Sequence, residues 1–104
     1  MYHRFNEFKY PSTNISMDIF KKHIKLITES NYRFYHPKNF ENEFNSSKKE
    51  KKILLTIDDG FQSFYRNAWP LLKKNKIPFI LFISTEPVGN KGYMTWKQIK
   101  EIEK

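Results

Sequence analysis

A chain of 104 residues has room for one domain with a modest core, and a large two-domain enzyme is excluded. It contains no cysteine, which removes disulfide frameworks and thiolate metal sites and leaves Asp, Glu and His as the ligands any metal must use. The net charge of +8, from 19 Lys+Arg against 11 Asp+Glu, would suit a polyanion; but the lysines are scattered, the one dense run (Lys48-Lys49-Glu50-Lys51-Lys52) falls in an expected solvated loop, and no nucleic-acid-binding signature accompanies the charge, so no nucleic-acid partner is expected.

In chain order, Met1 to Phe5 reads as a short strand or the end of one, and Tyr10-Pro11-Ser12-Thr13-Asn14 as a loop. Apolar residues at Met17, Phe20, Ile24 and Ile27 then keep helical spacing, with Ser16 as N-cap and Ser30-Asn31 as the stop. Tyr32 to Tyr35 reads as a short strand. Asn39 to Lys52 reads as a polar connection with a helical turn around Phe40 and Phe44. The nearly continuous apolar run Ile53-Leu54-Leu55-Thr56-Ile57 has the composition of a strand buried on both faces of a parallel sheet, and it stops at Asp58.

After Gly60, the residues Phe61, Phe64, Ala68, Leu71 and Leu72 predict a helix with a kink site at Pro70 and a basic C-terminal end at Lys73-Lys74-Asn75-Lys76. Pro78 to Ile83 predicts a second buried strand, which makes a βαβ unit with a parallel sheet. Ser84 to Lys91 is a loop, and a terminal helix begins at about Thr95. No apolar run approaches the roughly 20 residues of a membrane span, and the N-terminus lacks the apolar core of a signal peptide. Both ends read as cut, the first because it opens directly on a strand-like segment and the last because it closes in mid-helix pattern.

The chemistry concentrates at Asp58-Asp59-Gly60. Functional groups collect at the carboxyl ends of strands in open α/β sheets and α/β barrels, and this carboxylate pair stands there. Gly60 can take positive φ, so the turn could aim both carboxylates into one cleft. A divalent cation would relieve their repulsion, one carboxylate coordinating it while the other acts on a bound water. The alternative is an ordinary Asp-Asp-Gly turn in which Asp59 caps the helix that starts near Phe61.

Thr56-Ile57-Asp58-Asp59-Gly60 resembles the first motif of the polysaccharide deacetylase family, the NodB-homology or chitin-deacetylase-like carbohydrate esterases. Ala68 to Phe79, Phe82-Ile83-Ser84-Thr85, Tyr93 to Ile99 and the opening Met1-Tyr2-His3-Arg4-Phe5 are similar to the segments that flank that motif. The resemblance implies the N-terminal portion of a distorted β/α barrel with parallel strands, so that residues 1–104 are a partial deacetylase domain truncated at the C-terminus. It also implies removal of acetyl groups from an N-acetylated polysaccharide with a divalent metal, usually zinc, and a cell-envelope or secreted location.

Carried over to this chain, the family pattern makes Asp58 the general base, Asp59 a metal ligand and His3 a residue of the cleft that meets substrate. The family's His-Ser/Thr-x-x-His pair has no counterpart, since His3, His23 and His36 are the only histidines and none matches it. Catalysis by these residues alone is therefore not expected, and a non-catalytic carbohydrate-binding or structural remnant stands as the alternative. His23 and His36 read as structural or surface residues, and Trp69, Tyr93 and Trp96 as core packing rather than sugar platforms.

Overall fold

In a computed structural model, residues 1–30, 32–34 and 52–103 are described. Of the expected connection from Asn39 to Lys52, residues 39–51 lie outside them, with the helical turn near Phe40 and Phe44 and the basic run up to Lys51, as do His36 and Tyr35, the last residue of the expected short strand. The described elements are β1 (Arg4–Phe5), β2 (Asn14–Ile15), α1 (Met17–Glu29), β3 (Arg33–Phe34), β4 (Lys52–Ile53), β5 (Thr56–Asp58), a π-helical turn (Phe64–Ala68), α2 (Trp69–Lys74), β6 (Ile80–Phe82) and α3 (Trp96–Glu103). This is the mixed α/β arrangement with short parallel strands that the sequence predicts.

All three strand pairs are parallel: β1 with β2, β3 with β4, and β5 with β6. The register of the last pair sets Thr56 against Ile80, Ile57 against Leu81 and Asp58 against Phe82. Tyr2 pairs with Ile57 on the other edge of β5, its N–H donating to Thr56 O at 3.0 Å and its carbonyl accepting from Asp58 N–H at 2.8 Å. β5 therefore has backbone partners on both sides, which is why Ile57 is fully buried and why the run around it is apolar.

Helix α1 forms where expected. Ser16 caps it by accepting from Ile19 N–H, Asp18 complements the N-terminal dipole, and Phe20 and Ile24 face the core. At the other end, Ser30 N–H and Oγ both donate to Ile27 O. Helix α3 opens with a reciprocal capping box, since Gln98 N–H donates to Thr95 Oγ1 and Thr95 N–H to Gln98 Oε1. Phe5, Phe20, Ile57, Phe64, Leu72 and Met94 form the fully buried centre, joining the N-terminal strand, α1, β5 and the helix after it.

Several expectations change. The strand expected over 53–57 is divided: β4 pairs with β3, and β5 pairs with β6 and runs one residue further, to Asp58. Leu55 still belongs to the ladder through its carbonyl, which accepts from Ile80 N–H at 2.9 Å. The helix expected after Gly60 widens to π geometry over Phe64–Ala68, with Trp69 N–H reaching Phe64 O. Pro70 explains the widening, because it has no N–H and its ring would clash with the carbonyl four residues back in a regular α-helix.

The second strand shortens to Ile80–Phe82 and is not buried on both faces, Phe82 being 55 % exposed. Among the described residues its ladder partner is β5 alone, and Pro78 has no N–H to extend the pairing. Trp96, expected in the core, is half exposed at the start of α3. Trp69 and Tyr93 do pack, Trp69 stacked on Tyr65 and against the core, Tyr93 on Phe61.

One buried hydroxyl ties the first strand to the helix that follows β5. Ser63 Oγ accepts from Phe5 N–H at 3.0 Å and donates to Glu7 Oε2 at 2.9 Å, while Asn67 Nδ2 donates to Phe5 O. Replacing Ser63 by Ala leaves the buried Phe5 N–H without its acceptor, which costs about 1–3 kcal/mol. Denaturant unfolding of Ser63→Ala is expected to show a lower midpoint at unchanged slope; an unchanged midpoint would mean that water or a rearranged Asn67 replaces the bond.

Candidate active site

The site is the end of β5. Asp58 is the last residue of the strand, held by its N–H to Tyr2 O, and the next N–H, that of Asp59, donates to Phe82 O at 2.9 Å. The chain then turns through two successive left-handed residues, Asp59 at φ 76° and Gly60 at φ 71°. The sequence suggested positive φ for Gly60 alone. A side chain at position 60 would meet Ile83 and Met94 only at ordinary contact distances of 3.7 and 3.8 Å, so the backbone conformation, not lack of space, favours glycine there. Asp59 is among the few residue types that visit this region at modest cost, and its presence there marks a point of local strain.

This turn sends both carboxylates to one place. Asp58 and Asp59 line an open cleft of about 320 Å³ together with Met1, Phe82, Ile83 and Ser84. Asp58 Oδ1 is buried without a hydrogen-bond partner among the described residues, an unusual state for a carboxylate oxygen. Asp58 Oδ2 lies 3.6 Å from His3 Nε2, with both side chains partly exposed. That is beyond hydrogen-bond length and close enough for an ion pair when the imidazole is protonated. His3 does not line the carboxylate cleft itself. It lines a neighbouring hollow of about 330 Å³ with Met1, Tyr2 and residues 12–15, and meets Asp58 from that side.

The capping role considered for Asp59 is not seen among the described residues: Gln62 N–H donates to Gly92 O and Phe64 N–H to Phe61 O, and no amide of the helix reaches the Asp59 carboxylate. The start of that helix is held instead by Arg4. Its guanidinium is sandwiched between the rings of Tyr10 and Phe61, at 3.8 and 3.7 Å from their centroids, and is bonded to Thr13 Oγ1 and Glu7 Oε2. Phe61 follows Gly60 directly, so this clamp braces the turn that carries the carboxylates.

Ser84, Phe82 and Ile83 were not singled out as cleft residues in the sequence. Their signal was present, since they end the second strand of the βαβ unit and so emerge at the same sheet edge as Asp58. Among the described residues no three His, Asp or Glu side chains converge as a metal centre would require. Asp58 and Asp59 offer oxygens suited to a hard divalent cation, but two carboxylates fall short of the three or four donors by which zinc is held. The described residues by themselves therefore do not make a complete metal site.

Residues 45–104 match the family model described as polysaccharide deacetylase. Over 85 residues, 80 % of the chain, the sequence is 33 % identical to the Bacillus subtilis protein YxkH, whose name assigns it provisionally to the polysaccharide deacetylases. Over 97 residues, 88 % of the chain, it is 31 % identical to the poly-β-1,6-N-acetyl-D-glucosamine N-deacetylase of Staphylococcus aureus. Its structure resembles IcaB from Ammonifex degensii with a TM-score of 0.83 at 33 % identity, covering 98 % of this chain and 46 % of that one. It resembles the Streptococcus pyogenes deacetylase PplD, solved with acetate, with a TM-score of 0.81 at 25 % identity, covering 99 % of this chain and 50 % of that one. The chain spans about a third of the length of these curated relatives, 30 % and 33 %.

The strain at position 59 has a thermodynamic signature. Asp59→Asn, which keeps a residue type tolerant of positive φ, is expected to change stability by less than about 0.5 kcal/mol, whereas β-branched Asp59→Val should cost about 1–2 kcal/mol. Thermal unfolding of the two variants checks this. Equal stability of the Val and Asn proteins would show that the turn relaxes out of the left-handed region.

Proposed function

The chain belongs to the polysaccharide deacetylase family, and from that premise we propose that it supplies the Asp58–Asp59 part of an active site that hydrolyses N-acetyl groups on an N-acetylated polysaccharide. The observation that carries the reading is the shared cleft at the end of β5, into which two adjacent carboxylates open with one Asp58 oxygen buried and unpartnered. The cleft is open to solvent, so the Asp58 carboxylate that lines it can meet a bound water, as a general base must.

In this reading Asp58 takes a proton from the water that attacks the acetyl carbonyl carbon. The water oxygen bonds to that carbon to give a tetrahedral adduct, whose amide carbon–nitrogen bond then breaks: acetate departs, and the nitrogen stays on the sugar and takes up a proton that balances the one Asp58 removed. His3 Nε2, 3.6 Å from Asp58 Oδ2, meets the carboxylate from the neighbouring hollow and so bounds its position on the side away from the cleft. Asp59 contributes one carboxylate to a divalent cation, whose further donors are not among the described residues. A bound cation of that kind, zinc being the usual one in the family, would polarise the acyl oxygen.

The substrate class follows from the relatives: the S. aureus enzyme is named for poly-β-1,6-N-acetyl-D-glucosamine, and a β-linked N-acetylglucosamine polymer is the first substrate to try. In the full-length protein, Asp58→Asn is expected to lower acetate release from N-acetylglucosamine oligomers roughly 10²- to 10⁴-fold, the usual contribution of a general base, without loss of folding. Retained turnover in Asp58→Asn would remove the assignment. Asp59→Asn is expected to weaken zinc binding measured by calorimetry, while Asp58→Asn leaves it closer to wild type; the reverse order would exchange the two roles.

A further inference from the structure

We propose that Tyr2 and His23 form a positioning pair that sets the contact between His3 and Asp58 from beneath the site. The proposal deepens the reading of Asp58 as the base and rests on it. Tyr2 is attached to the fold in two directions. Its backbone brackets Ile57 of β5 through the bonds to Thr56 O and Asp58 N–H. Its side chain turns the other way, with the phenol oxygen 2.7 Å from His23 Nδ1 on α1.

Burial pushes the Tyr2 phenol above its ordinary pKa, so the hydroxyl keeps its proton, and it shares with Nδ1 a hydrogen bond whose direction the His23 tautomer sets. The ring is fixed as well, edge-on to Phe20 at 4.9 Å and tilted against Phe5 at 5.9 Å. His23 lies between the buried Phe20 and Ile24 on a helix whose first turn is tied to the loop after β1, where Met17 N–H donates to Asn6 Oδ1. It is therefore a firm reference point.

Along an extended segment, neighbouring side chains leave on opposite faces. Anchoring Tyr2 inward on α1 thus fixes the rotation of residues 1–3 and aims His3 outward, to Nε2 at 3.6 Å from Asp58 Oδ2. The Tyr2 backbone pairing, its ring packing and the Arg4 N–H bond to Thr13 O at 3.0 Å hold the backbone of the segment, and the inward bond adds the side-chain anchor that sets its rotation. A histidine that the sequence marks as structural or surface is, on this geometry, a support of the reacting carboxylate that never touches substrate.

The test uses the full-length, ¹⁵N-labelled protein. Tyr2→Phe removes only the hydroxyl and keeps the ring packing; His23→Leu removes its hydrogen-bonding partner; His23→Asn restores a side-chain group that can donate or accept near the position of Nδ1. Tyr2→Phe and His23→Leu are expected to shift the His3 imidazole nitrogen resonances. Both should lower kcat for acetate release about tenfold with KM within about twofold, the size of effect that small misplacement of a reacting group produces. His23→Asn should return both readouts towards wild type. Unchanged His3 resonances in Tyr2→Phe, or a His23→Asn protein that behaves as His23→Leu does, would overturn the proposal and leave the bond a stabilising one only, visible in Tm alone. If Asp58→Asn proves active, the function proposed above fails, while the His3 resonances still decide the pairing.

Discussion

The backbone pairing of β5 on both of its edges is the constraint on which everything else in this chain depends. Asp58 N–H is taken by Tyr2 and Asp59 N–H by Phe82, so the strand cannot drift sideways or slip at the point where it ends. The chain can only leave by turning sharply, and it does so through two left-handed residues. That turn prevents the two carboxylates from following the alternation of a strand and opens both into one cleft. Held this way, like charges sit together in a partly buried place, an arrangement that costs free energy unless something positive answers it. His3 Nε2 stands 3.6 Å from Asp58 Oδ2.

The surroundings act to keep this turn rigid. Before it, Ser63 and Asn67 fasten Phe5, and with it the first strand, to the helix that follows the site. After it, the Arg4 guanidinium clamps Phe61 against Tyr10, and Gly60 O accepts from Met94 N–H while Gly92 O accepts from Gln62 N–H. Residues distant in sequence thus converge on a three-residue turn. Rigid support of a strained loop is what a site needs when it must hold charged groups in a fixed geometry. The neighbouring carboxylates, the buried oxygen without a partner and the family to which the chain belongs all agree with that use.

Much of this was legible in the sequence because local signals and tertiary structure agree. The spacing of Phe20 and Ile24, with Ser16 and Ser30 at the ends, fixes α1 almost to the residue. The apolar run before Asp58 and the helical pattern after Gly60 give the βαβ unit, and the end of its first strand gives the site. What was not legible depends on long-range contacts. Asp59 adopts positive φ because β6 and the residues after Gly60 place it there, and no local motif encodes that. The π-helical turn follows from how one helix accommodates Pro70, which a periodicity count cannot distinguish from a kink. Phe82 is exposed where it lines the open cleft beside Asp58 and Asp59, and the bond from Tyr2 to His23 joins residues with no shared periodicity. Sequence placed His3 near the site only through its resemblance to a family; the structure supplies the distance.

If the end of β5 holds Asp58 and Asp59 in one cleft for chemistry rather than as a turn, a divalent cation should settle there. Anomalous diffraction from crystals of the full-length protein grown with zinc tests it most directly, because it locates the ion without assuming an activity. A peak is expected in the cleft bounded by Asp58, Asp59, Phe82 and Ser84, bonded to the Asp59 carboxylate. A fully occupied zinc site elsewhere, with this cleft empty, would contradict it.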